Sequence, residues 1–387
     1  MLFQCQGMHC IESFYWPITA LHTKHGQSFR SNVPYGPLNY MRLGQNPWEI
    51  IRYIADYSSR QLTFPSDAVN AFQGILNIFG QARYNVIHLF GVPLMPPYAE
   101  LRRGLSFEAR PWSVVQQFII GLTWFHLTPS HRRDGFPSWS WAGWTGEVAQ
   151  CFSFKKGTLA TISSVSIELE KVDGALVPLT DANSLTIVLT TPHSLCCTLR
   201  ISSMVSSFSI EPLPEPMPID DLDRVDSEAI PQENAWGVKF ELKSGLIAYS
   251  FFHLDKEVEK EKSLIRRLKE KKWVGILLGN FPFGQEGEIL NYKMRSHNVV
   301  IIDEVGDHME RIGIFNMNNI WAYKFLDPPP SSNAFDEDGA LRYITVHTDG
   351  KFIKGYFAYG RTWRDLDDDE VKEVWNRPWR SETIRLS

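Results

Sequence analysis

The chain reads as an α+β protein, with a helical part over about residues 1–135 packed on a β-rich part over about 136–387. Three observations predict this. Apolar residues recur at helical spacing with matching start and stop signals before residue 135, the hydrophobic period changes to two at Phe136, and two late stretches have the shape of β-hairpins.

Asn46-Pro47-Trp48-Glu49 supplies an N-cap, a proline at the first helical position and an acid at the capping-box position. Ile50, Ile51, Ile54 and Tyr57 then fall on one helical face. A second helix is predicted from Ser66-Asp67, with Ala68, Val69, Phe72, Ile75, Leu76 and Phe79 as its stripe and Gly80 as its end. A third is predicted from Pro111-Trp112 through Val115, Phe118, Ile119, Leu122 and Phe125, stopping at Thr128-Pro129. Pro93, Pro96 and Pro97 mark a loop between them.

After Phe136, Trp139 and Trp141 alternate with Ser138 and Ser140, and Leu185, Ile187 and Leu189 alternate with Thr186, Val188 and Thr190, both as in strands. Val299–Val305 and Met309–Phe315 form a predicted hairpin through Gly306-Asp307, and Arg342–His347 and Phe352–Tyr359 another through Asp349-Gly350. Glu211–Asn234 holds five prolines and eight acids against the single base Arg224, which predicts a solvated acidic loop. Asp255–Lys272 carries eight bases and five acids, with Val258, Leu264, Ile265 and Leu268 as apolar anchors. That mixture predicts an exposed helix with charge pairs, since the interspersed acids oppose phosphate binding.

Lys+Arg total 39 against 44 Asp+Glu, a net charge of −5, within a composition of 43% hydrophobic and 21% charged residues. Such a chain can build a core, and it has no bulk electrostatic grip on nucleic acid or an anionic membrane. Met1–Gly7 has neither the basic region nor the apolar run of a signal peptide, and the apolar stretch Phe118–Leu127 is about half of a membrane span. Five cysteines, two of them adjacent at Cys196-Cys197, read as reduced thiols. The expectation is a cytoplasmic protein without a membrane span.

Signals for chemistry are sparse. Cys5, His9 and Cys10 cluster, yet no second Cys/His pair completes a zinc set, so they read as buried thiols beside an ordinary histidine. Asp365, Asp367 and Asp369 resemble the start of a calcium loop. Glu370 stands where glycine is needed and Asn376 where glutamate is needed, so an acidic helix start before Val371, Val374 and Trp375 is predicted instead. No GxxxxGK[ST], GxGxxG, HExxH or GxSxG occurs. A dispersed Ser/His/Asp triad stays open, because its members need not be neighbours in sequence. Three tryptophans in six residues, Trp139, Trp141 and Trp144, offer either a stacking platform for a sugar or base, or an aromatic core in which Ala142-Gly143 lets another backbone approach. The core reading is preferred, because no cluster of acids or bases accompanies them.

Phe136–Gly146 resembles the PSWSWAGW-type segment downstream of the heterokaryon incompatibility (HET) domain of fungal proteins. Three further segments match in order. Phe3-Gln4-Cys5 through Glu12 resembles the close of the HET domain, Tyr57–Ala68 through Gly74-Ile75 resembles the Y-S-x-R-x-L-T…S-D-A…G-I helix, and Glu310-Arg311-Ile312-Gly313 resembles the late ERIG strand. The S-Y-x-W-G and W-I-D segments of the family's core do not occur. The resemblance therefore implies a truncated HET-type protein without that core, whose distant likeness is to TIR domains. It implies a regulatory or recognition module in fungal non-self recognition and programmed cell death, with protein partners, a tendency to self-associate and no NAD hydrolysis. No catalytic residue, cofactor-binding residue or metal ligand is carried over from it. The alternative is a self-contained hydrolase or carbohydrate-binding protein whose tryptophans line a cleft.

Overall fold

The structure is a computed structural model and describes residues 2–5, 8–11, 44, 46–96, 113–127, 130–150, 165–181, 183–186, 195–214, 235–256, 262–279, 297–325, 343–348, 351–358 and 361–387. A first hairpin joins β1 (Leu2–Cys5) to β2 (Met8–Ile11). Helix α1 spans Glu49–Ser58, two residues later than a proline at the first helical position requires. The Asn46 side chain instead accepts the Trp48 N–H at 3.1 Å, while the Asn46 and Pro47 carbonyls take the next two amides. Ile50 and Ile54 are buried as their spacing predicts.

The second predicted helix is divided. Pro65–Asp67 and Asn70–Phe72 wind as 3-10 turns without a side-chain cap, and α2 begins only at Gln73 and runs to Gln81. Gly80 lies inside α2 rather than ending it, and the chain leaves through an extended Ala82. Ala68, Phe72, Leu76 and Phe79 still face the core. Short strands β3 (His88–Leu89) and β4 (Val92–Pro93) pair, so Pro93 belongs to a strand and not to a loop. Helix α3 is Val114–Leu122, started by a capping box between Ser113 and Gln116. It ends at Leu122, and Phe125 passes into β5 (Trp124–His126), which pairs with β6 (Val148–Gln150). Residues 111–112 and 128–129 lie outside the described residues.

The remaining strands form one large sheet system, antiparallel apart from a single parallel pairing of Met309 with Leu386. They are β7 (Ser166–Lys171), β8 (Leu176–Pro178), β9 (Leu195–Pro212), β10 (Trp236–Glu241), β11 (Ile247–Leu254), β12 (Trp273–Leu278), β13 (Asn298–Val305), β14 (His308–Phe325), β15 (Tyr343–Thr348), β16 (Lys351–Ala358), β17 (Arg361–Asp365) and β18 (Arg380–Leu386). Residues 183–186, including Leu185, form a helical turn where a strand was expected; 187–190 lie outside the described residues.

The pairing closes on itself. β9 pairs with β12, β12 with β13, β13 with β14, β14 with β11, β11 with β10, and β10 with β9, a six-stranded antiparallel barrel. A closed ring leaves no free edge. The β13–β14 hairpin turns at Gly306, whose φ of +64° suits glycine, and the β15–β16 hairpin pairs as predicted. The first half of β9 carries a side sheet with β7, β8 and β18.

Alternation along the barrel strands sorts side chains into two cores. Phe208, Val238, Phe252, Leu277, Val299, Ile301 and Phe315 fill the interior. Gly275 leaves the room that Phe208 and Val299 occupy. Helix α4 (Lys262–Glu270) adds Leu264 and Leu268 to that core, and α5 (Asp368–Trp375) adds Val371, Val374 and Trp375. Asp367 caps α5 and pairs reciprocally with Glu370, so the acidic run is a helix start. On the outer face, Val205, Ile276, Val300, Ile302 and Ile314 join the second core together with the helical residues Ile54, Phe72, Phe118 and Ile119. The chain is thus α+β, and helices α1 to α3 share one core with the outer face of the barrel, while α4 and α5 pack with its interior. Among the described residues, no helix is long and apolar enough to cross a membrane.

Candidate functional site

The segment Ser138-Trp139-Ser140-Trp141 is not a strand. Trp141–Gly143 is a 3-10 turn, entered from Ser140, whose hydroxyl accepts the Ala142 N–H at 3.0 Å. Ser138 and Ser140 are buried as deeply as Trp139, Trp141 and Trp144, all at 1% exposure or less. The serines tolerate this because each hydroxyl finds a carbonyl: Ser140 donates to Phe90 at 2.6 Å, and Ser138 donates to Ser387. Burial of the indoles follows the core reading, on a backbone that alternation did not predict.

The indole N–H groups act as staples. Trp139 donates to the Cys197 carbonyl of β9 at 3.0 Å, Trp141 to Gly91 at 2.8 Å and Trp144 to Ser138 at 2.8 Å. Trp124 of β5 donates in turn to the Trp139 carbonyl at 2.9 Å. Phe90 and Gly91, between β3 and β4, both have left-handed backbones, with φ of +50° and +89°. That conformation is strained at Phe90. The bond from Ser140 and the edge-on contact of its ring with Trp139, 5.5 Å between centroids, hold it in place. A Cβ at Gly143 would collide with the Pro137 carbonyl, so the close backbone approach expected here is present.

Arg311 ties the turn to the barrel. Ile301 lies opposite Gly313 while Ile302 lies opposite Arg311, so Ile312 is the extra residue of a β-bulge in β14. The Arg311 side chain, 1% exposed, reaches into the outer layer. Its Nε donates to Asp255 Oδ2 at 2.8 Å, Nη1 to the Leu122 carbonyl at 2.8 Å and Nη2 to the Trp124 carbonyl, with the guanidinium 3.5 Å from the Trp124 ring centroid. The Arg311 N–H donates to Ser138 Oγ at 3.0 Å. Asp255 corrects an expectation of exposure: it is wholly buried directly after β11, and the described helix of that stretch is Lys262–Glu270. An arginine 56 positions away makes that burial tolerable.

Two histidines border the pair. His126 lies 5.3 Å from the Trp124 ring and 5.9 Å from Trp144, and His253 stacks at 3.9 Å on Phe125. Burial holds both imidazoles neutral, down to about 3, and the Arg311 charge pushes the same way. Burial also raises the Asp255 carboxyl, against the pull of Arg311.

The end of α1 completes the assembly. Ser58 Oγ accepts the Val148 N–H at 3.0 Å, and the Tyr57 ring meets Trp141 edge-on at 6.0 Å and Phe72 at 4.9 Å. Three of the four segments that carry the HET resemblance therefore converge at one place. The fourth holds the β1–β2 hairpin, where Cys5 pairs with Met8 and Phe3 with Cys10. The side chains of Cys5, His9 and Cys10 lie outside the described residues. Among the described residues, no group of three or more His, Cys, Asp or Glu side chains is placed to hold a metal ion.

Sequence reasoning missed Asp255, His126 and His253 as members of this cluster. One signal was available for Asp255, which directly follows Ala248–Leu254, a stretch interrupted only by Ser250 and His253 in its apolar character. No protein-family model, curated protein or solved structure matches the chain.

Proposed function

We propose that the chain is a HET-type recognition or regulatory module of fungal non-self recognition and cell death, acting in the cytoplasm through protein partners, itself included, and not as an enzyme. One observation carries this reading: the serine, arginine and indole groups of the turn are spent on bonds that join elements. The Ser138 hydrogen goes to Ser387, three edges of Arg311 go to Asp255, Leu122 and Trp124, and each indole N–H of the turn goes to a carbonyl. With the three indoles buried, a tryptophan-lined sugar cleft has no support.

Inducible expression in paired fungal strains of different incompatibility type tests the reading, alongside turnover assays of the purified chain with NAD, esters and glycosides. Strain-dependent growth arrest without turnover is expected. Turnover that disappears in Ser138→Ala, or arrest that ignores the strain pairing, would overturn it.

A further inference from the structure

We propose that the acidic, proline-rich segment 215–234 docks on the outer face of the barrel, along a band that runs from Lys272 to Trp363. The inference goes beyond the reading above and does not depend on it. Tyr249, Trp321 and Trp363 form a third buried group, apart from the two cores. They lie on the outer face of β11, β14 and β17, where Tyr249 and Trp321 alternate with Ala248 and Ala322 of the interior. The rings of Tyr249 and Trp363 are 6.0 Å apart. Of the described hydrophobic residues packed on this group, Leu213 alone comes from outside those three strands. A Cβ at Gly237 would collide with Leu213 and touch Tyr249, so Leu213 lies over that glycine and beside the tyrosine. Trp363 is 3% exposed, and its indole N–H has no acceptor among the described residues.

Bases continue the band. Register places Ser209 opposite Lys239, Lys239 opposite Tyr249 and Tyr249 opposite Trp321, and Lys272 donates to the Ser209 hydroxyl. Lys272 closes the stretch Lys262–Lys272, which holds six bases against the single acid Glu270. Lys269 and Lys272 are exposed. Residues 215–234 lie outside the described residues, but the positions that flank them do not. The Leu213 N–H donates to the Ala235 carbonyl at 2.9 Å, so the chain leaves and returns beside the aromatic group. The segment is the chemical complement of the band. Seven acids stand against Arg224, and Pro216, Pro218 and Pro231 follow Pro212 and Pro214. Carboxylates suit the lysines, prolines suit the aromatic rings, and a carbonyl or carboxylate supplies the acceptor that a buried indole N–H rarely lacks. A tethered occupant acts at a roughly millimolar effective concentration, so an acidic partner reaches the band only by displacing it.

A synthetic peptide of residues 215–234, added in trans and followed by fluorescence anisotropy, tests this. The native chain should bind it at least about tenfold more weakly than a chain whose residues 215–234 are replaced by glycine and serine at equal length. Raising salt from about 50 to about 300 mM should weaken binding to the replaced chain. Lys269→Glu together with Lys272→Glu should weaken it by about tenfold, through like-charge repulsion. Carbodiimide cross-linking of the native chain is the second measurement, and it needs no variant to fold. It should join carboxylates of 215–234 to Lys269 or Lys272 within one chain, which mixing heavy- and light-labelled chains distinguishes from links between copies. Links only between copies, or equal peptide binding by native and replaced chains, would overturn the proposal. So would no binding to either chain, or tighter binding of the replaced chain to single-stranded DNA or phosphatidylserine vesicles than to the peptide.

Discussion

Strand β13 has two faces held in different ways. Inward, Val299 and Ile301 meet Phe208, Phe252 and Phe315 in a core held mainly by apolar packing. Outward, Val300 and Ile302 meet a layer in which four indoles, two serines, an arginine and an aspartate make directional bonds across elements. Non-directional packing degrades gradually when a methyl group is lost, because neighbours relax. A buried polar joint fails sharply, because each broken bond strands a partner away from water. The outer joint should therefore be the fragile one.

The largest contrast is expected at the ion pair. Asp255→Ala leaves the Arg311 charge buried and uncompensated and should cost about 3–5 kcal/mol. Ile301→Val, in the barrel core, should cost only about 0.5–1.5 kcal/mol. Urea unfolding of the two variants measures both, and equal losses would break the comparison.

Acid should act on the same joint. His126 and His253 sit at about 3 in the fold, below the ordinary unfolded value, so the unfolded chain takes up protons first. Their stability is complete above about pH 6.5 and is lost as pH falls from there toward 3, with a slope approaching about 1.4 kcal/mol per pH unit for each histidine. Asp255, raised by burial, works in the opposite sense. Urea midpoints at pH 7, 6 and 5 should fall steadily, and His253→Phe, which keeps the contacts with Phe125 and Phe251, should roughly halve the slope.

A glycine pair sharpens the contrast further. Gly143→Ala drives a methyl into the Pro137 carbonyl and should cost about 1–3 kcal/mol, whereas Gly275→Ala meets side-chain atoms of Phe208 and Val299 and should cost less. At the bottom of the scale, Arg266→Ala breaks an exposed pair with Glu270 on α4 and should change stability by no more than about 0.5 kcal/mol. Thermal midpoints rank all three.

The sequence made local structure legible. Both late hairpins follow from alternation around turn residues, and α5 follows from the acidic run before Val371, which suits the start of a helix. It misled where a local pattern served a distant partner. Ser138 to Trp141 alternate like a strand, yet each serine is committed to a carbonyl far along the chain, at Ser387 and Phe90. Asp255 looks like the start of a charged helix until Arg311 is beside it. The closure of the barrel through β11 and β14 joins residues about 60 to 76 positions apart, beyond the reach of any period in the sequence. The site was visible as a tryptophan cluster, but its role as a joint was not, because the role lies in those long-range bonds.

A double-mutant cycle between Ser138→Ala and Asp255→Asn tests the central claim most directly, because Arg311 bonds to both residues. Unfolding free energies of the two single variants and the double variant, taken in urea at neutral pH, give the coupling. If the tryptophan turn and the buried pair are one joint, the coupling should be about 1 kcal/mol or more. Additivity within about 0.5 kcal/mol would mean that the turn and the ion pair hold the layers independently, and would contradict the account.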